Sequence, residues 1–156
     1  MSWRTVGVLL AVALVLLAVA SVLPGPDVVA VEPPRGLDRT AQQACTDLHS
    51  LLPTDVDGRE RRETSPISEQ TAAWGSPAVA LRCGVVRPAG LTSTSEVVEV
   101  DGVGWFLTER PREYVFTTVG RMPYVEVWVP GSTPRDRAAA PLVDLALAIS
   151  ETIPRD

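Results

Sequence analysis

The sequence predicts an α+β domain: a mainly antiparallel sheet of about five strands flanked by two helices, behind a single N-terminal transmembrane helix. Three observations carry that expectation. An 18-residue run from Val6 to Leu23 is apolar except for Gly7 and Ser21. Two later segments, 38–52 and 141–153, repeat apolar residues at three- and four-residue spacing. Between them lie β-rich runs separated by glycine-bearing turns. A hydrophobic content of 46% is enough for a core, so global disorder is excluded.

At about 1.5 Å per residue, the Val6–Leu23 run spans roughly 27 Å, close to the ~30 Å of a bilayer's hydrocarbon core. Arg4 is the only side-chain charge before it and Asp27 the first after it. The positive-inside rule then places the N-terminus inside and the C-terminal domain outside, as a single-pass protein of the cytoplasmic membrane. The alternative is a secreted chain: Ala18-Val19-Ala20 has the small-x-small pattern of a cleaved signal peptide, with the cut near Ala20. The retained anchor is the expectation, because the apolar run continues past that cut. Residues 1–23 are thus the anchor or signal peptide. Residues 24–37, with prolines at 24, 26, 33 and 34, are an extended spacer, and 38–156 form the extracytoplasmic domain.

Within that domain, Asp38 caps a helix reaching about Leu52. Its stripe is Ala41, Ala44, Cys45, Leu48, Leu51 and Leu52, and Pro53 stops it. Residues 53–73, crowded with charge and turn formers, read as a solvated loop. A short strand follows at Ala78–Cys83. Asp101-Gly102 favours a two-residue type I′ turn, which pairs 100 with 103, 98 with 105 and 96 with 107. That register puts Val98, Val100, Val103, Trp105 and Leu107 on one face, the expected core face. Strands at about 113–119 and 123–129 come next, with Val125, Val127 and Val129 pointing one way. Pro141 opens the last helix, which carries Leu142, Leu145, Ala146 and Ile149 on one face.

Cys45 and Cys83 are an even pair in an oxidising compartment, and a disulfide between them is the expectation. It would close a 38-residue loop, worth about 4 kcal/mol in the chain-entropy model. The alternative is two buried free thiols.

Chemistry is sparse. His49 is the single histidine and falls at the border of the apolar stripe. There is no G-x-S-x-G elbow, and nothing in the sequence identifies an acid to orient His49. Asp55-x-Asp57-Gly58 lacks the later ligands of a calcium loop. No catalytic residue, metal site or cofactor is expected, and no enzyme activity. All 14 basic residues are arginine, against 19 acids, a net charge of −5. Such a balance disfavours nucleic acid as a partner. The candidate binding residues are Trp74, Arg82, Arg121 and Tyr124, types over-represented in binding hot spots.

Several motifs resemble one family. They are Cys45 with Leu51-Leu52-Pro53, Val56-Asp57-Gly58-Arg59, Arg61-Arg62, Ala73-Trp74-Gly75-x-Pro77, Leu81-Arg82-Cys83-Gly84-Val85 with Arg87-Pro88, Val103-Gly104-Trp105, and 117–127 from Thr117 to Val127. Together they resemble an actinobacterial family of membrane-anchored proteins, domain of unknown function 3515. That resemblance implies a single-span envelope protein with no assigned activity, and supplies no catalytic residues. The expected function is therefore a non-enzymatic protein-interaction or scaffolding module of the cell envelope, held at the membrane through residues 6–23 and meeting another envelope protein. The alternative is a module for cell-wall glycan or peptide, with Trp74 or Trp128 as a stacking platform. A concave surface lined by aromatics and arginine would favour a ligand, a flat one a protein partner.

Overall fold

The chain is described from residue 28 to residue 156 in a computed structural model. Asp38 starts the first helix: its side chain accepts a hydrogen bond from the Ala41 amide at 2.8 Å, and α1 runs Arg39–Leu51. Ala44, Cys45, Leu48 and Leu52 are buried, whereas Leu51, expected on the same stripe, is half exposed. The last helix, α2, runs Ala140–Thr152 with a proline in its first turn, and buries Leu142, Leu145, Ala146 and Ile149.

Both helices cover one face of a nine-stranded sheet, against about five strands expected. In chain order the strands are β1 (Val28–Ala30), β2 (Asp55–Val56), β3 (Arg59–Ser65), β4 (Thr71–Trp74), β5 (Val79–Val85), β6 (Val98–Val100), β7 (Val103–Arg110), β8 (Glu113–Val119) and β9 (Tyr124–Pro130). Across the sheet they run β1-β3-β4-β5-β9-β8-β7-β6, with β2 paired to β3. The hairpin register is the one the Asp-Gly turn dictates: Val100 faces Val103 and Val98 faces Trp105. Asp101 and Gly102 both have positive φ, as a type I′ turn requires. Val103 and Trp105 are fully buried. Val98 is not; β6 is the outermost strand, and at 39% exposure its core-face position has no cover.

The solvated loop expected over 53–73 is corrected. Asp57-Gly58 is a second positive-φ turn, joining β2 to β3 with Val56 opposite Arg59. The arginine stems of β3 supply the burial that apolar residues would give elsewhere. Arg61 lies 5.5 Å from the Trp74 ring centroid, and Arg62 donates to the Gly75 carbonyl at 3.0 Å.

The N-terminal expectation is corrected as well. Among the described residues no helix is long and apolar enough to cross a membrane. At 13 residues each, α1 and α2 reach only about 20 Å. The expected transmembrane helix, and the single-pass localisation built on it, therefore find no helix in the described fold. The run they rested on, Val6–Leu23, lies outside the described residues. Part of the expected spacer joins the sheet: β1 pairs parallel with β3, Val28 opposite Glu63. Val31 then packs with Ala73 and Ala80 on the sheet face away from the helices. The strap continues to Leu37, which sits so closely on Gly84 that a Cβ there would collide with its side chain; Gly84 also has a φ of +92°.

Cys45 on α1 and Cys83 on β5 form a disulfide, with their Cα atoms 5.6 Å apart. It ties the helix layer to the middle of the sheet, beside Leu48, Leu81 and Trp74 in the main core.

Candidate functional site

Strand alternation decides what the uncovered face presents. Because Leu81, Val127 and Phe116 are committed to the core, their neighbours Arg82, Glu126, Trp128, Val115 and Thr117 turn outward. Arg82 and Glu126 lie directly opposite each other on β5 and β9, and form an ion pair at 3.2 Å. Glu126 also accepts from the Trp128 indole N–H at 2.5 Å. The Arg82 and Arg110 guanidiniums sit 5.2 and 6.0 Å from the Trp128 ring centroid. Arg82 Nε donates to the Glu32 carbonyl at 2.9 Å, which pins the strap to the sheet.

Beside this cluster runs a groove of about 710 Å³. Its floor is Phe106, Val115 and Thr117; the strap at Pro34-Arg35 forms one wall and the 84–90 loop another. Four arginines line it (Arg35, Arg82, Arg87 and Arg110) against one carboxylate, Glu126. Arg87 donates to the Tyr124 hydroxyl and to the Leu91 carbonyl, both at 3.0 Å, so its guanidinium is fixed at the rim.

The four residues singled out by sequence do not form one patch. Arg82 is in the groove, and Tyr124 reaches its rim through Arg87. Trp74 is fully buried under the helices, its indole N–H donating to the Pro53 carbonyl at 3.0 Å, so it offers neither an exposed anchor nor a stacking platform. Arg121 is 4% exposed and lies in the β8–β9 turn beside the C-terminal tail, outside the groove lining, where Nη1 donates to the Ile153 carbonyl at 2.6 Å. Arg35, Phe106 and Arg110 escaped sequence reasoning. The signal available was alternation: Phe106 and Arg110 lie at even steps from one another and out of phase with the core residues Val103 and Trp105.

On the helix side, His49 Nε2 lies 3.0 Å from Arg61 Nη2. A guanidinium only donates, so Nε2 accepts and the ring is neutral with its proton on Nδ1. Burial first, and then the charge of Arg61, lower the histidine's pKa, with Glu69 opposing. Among the described residues no hydroxyl is hydrogen-bonded to this ring, and the nearby Ser68 hydroxyl accepts from the Gln70 amide instead. Nor do the described residues contain a group of three or more His, Cys, Asp or Glu side chains placed to hold a metal ion.

Fold and groove together define a disulfide-stapled α+β domain, with helices on one sheet face and an arginine-lined groove on the other. The chain belongs to a family described as protein of unknown function (DUF3515), whose model matches residues 5–156. No curated protein and no solved structure matches it.

Proposed function

We propose that this is a non-enzymatic binding domain of an oxidising, extracytoplasmic compartment, and that it takes an extended acidic segment of a partner protein into the outer-face groove. The observation that carries the reading is the charge of the groove. Four arginines and one carboxylate line it, in a chain whose net charge is −5. Arg82 pairs with that carboxylate, and Arg35 and Arg110 are paired to Glu32 and Glu113 at its edges, so Arg87 carries the uncompensated charge. A locally basic groove on an acidic body attracts carboxylates and repels other basic surfaces. Arg82 and Arg87 are held by neighbours before any ligand arrives, which lowers the ordering cost of binding. The disulfide supports the compartment, since such bonds persist where conditions are oxidising. The concavity favours a ligand segment over a flat protein face. Glycan stacking is disfavoured, because Trp128 is already engaged by two guanidiniums and Trp74 is buried.

Titration of the full chain with a labelled oligoglutamate peptide tests this. Saturable binding that weakens with added salt is expected, with none for oligolysine. An Arg87→Glu, Arg110→Glu double variant, altered only at exposed side chains, should lose it. Equal binding of both peptides, or an unaffected double variant, would refute the proposal.

A further inference from the structure

A second cleft, of about 650 Å³, lies on the opposite side of the sheet from the groove. Its lining comes from α1 (Thr40, Gln43, Asp47), the end of α2 (Ser150, Thr152) and the C-terminal tail. The tail folds back on the β8–β9 turn. Met122 N donates to the Pro154 carbonyl at 3.1 Å, Asp156 N donates to the Gly120 carbonyl at 3.3 Å, and the backbones of Arg121 and Arg155 lie opposite each other in an antiparallel bridge. This pairing brings two arginines to one cleft. Arg121 is 4% exposed, yet its only hydrogen-bond acceptor among the described residues is the Ile153 carbonyl. No described carboxylate is within ion-pair distance of Arg121 or of Arg155.

A buried charge needs compensation. Ile153 is the C-cap of α2, and a helix C-terminus supplies about half an elementary negative charge. One guanidinium is thus half balanced, and Arg155 adds a second positive charge beside it. Burial, then Arg155, lower the Arg121 pKa, which accords with a cation short of a counter-charge. Asp47 and Glu151 also border the cleft, but neither pairs with the arginines.

We infer that this cleft is an oxyanion site, in which Arg121 and Arg155 together hold the phosphate or carboxylate group of a small ligand. Planar guanidinium groups recognise such oxygens through parallel N–H···O bonds. The α2 C-terminus holds Arg121 in place, and the tail brings Arg155 to it. The cleft is within the size range of small-molecule sites.

The test is calorimetric titration of the full chain with inorganic phosphate and, separately, with citrate. Saturable one-to-one binding of at least one is expected; phosphate alone would identify a phosphoryl ligand, citrate alone a carboxylate one. Arg155→Ala changes an exposed side chain and should weaken the binding at least about tenfold. Arg121→Lys keeps the charge and loses the fork, and should weaken it similarly. Arg135→Ala, at an exposed arginine outside both clefts, should leave it unchanged. Absence of saturable binding to either anion, or affinity unaltered by Arg155→Ala, would overturn the assignment.

Discussion

The inner face of the sheet holds Trp74 and Trp105 completely buried, among valines, leucines and a disulfide. The outer face holds Trp128 partly exposed, between two arginines and a glutamate. The same strands make both faces, residue by alternate residue. On the inner face the energy comes from apolar area and close packing, which is large, non-directional and insensitive to salt. On the outer face it comes from oriented charges around one ring, individually worth about 1 kcal/mol and weakened by salt. Apolar packing and oriented charge are thereby separated by the thickness of one sheet, and substitutions on the two faces should have different signatures.

The sharpest test of that separation is the adjacent pair Trp105 and Phe106, one on each face. Trp105→Ala should cost about 3–5 kcal/mol, from lost transfer energy and the cavity left behind. Phe106→Ala should cost about 1 kcal/mol. Denaturation midpoints decide it, and a costlier phenylalanine change would mean that the faces are assigned the wrong way round. Trp105 Nε1 is buried with no acceptor among the described residues. Trp105→Phe, which removes that orphaned donor, should therefore cost clearly less than the alanine change.

Next in size is the disulfide. Cys83→Ser should lower stability by about 2–4 kcal/mol, chiefly by freeing the unfolded chain. Thiol titration of the denatured, unreduced protein should find no free sulfhydryl, because both cysteines are bonded to each other.

A smaller effect is expected on the outer face. Arg82→Ala removes the ion pair with Glu126 and the bond to the strap, and should cost about 1–2 kcal/mol while abolishing oligoglutamate binding. A stability loss as large as that of Trp105→Ala, with binding kept, would erase the distinction between the faces.

The smallest effect is a pH dependence from the inner side. The folded pKa of His49 is lowered from 6.5, so the unfolded chain binds this proton more readily. Its contribution is complete above about pH 6.5, and is lost as pH falls from there through the lowered folded value. His49→Gln should remove that step from a plot of unfolding midpoint against pH. A wild-type midpoint that gains on the variant as the solution is acidified would reverse the sign.

Much of the scaffold was legible because its determinants are local. Asp38 capping α1, Pro141 opening α2, and Asp101-Gly102 setting the hairpin each depend on a few neighbouring residues. The strand made by 59–65 was not legible. Its arginines and glutamates read as a solvated stretch, and it becomes a strand through backbone pairing with β1, β2 and β4, with Trp74 and the Gly75 carbonyl alongside to receive arginine side chains. The candidate site was half legible. Arg82 was on the candidate list, but Arg35 comes from a strap whose path across the outer face no local pattern reveals.

By itself, then, the sequence determined the helix limits, the turn that sets the hairpin, the alternation of β9 and the cysteine pair, since periodicity, turn stereochemistry and an even cysteine count are written in short stretches of chain. The tertiary structure alone decided that the face opposite the helices is left as an arginine-lined groove. It also decided that Trp74 is buried and that Arg121 meets the C-terminal tail. These are matters of burial and of charge brought together across long separations in sequence, and both depend on which segments pack side by side.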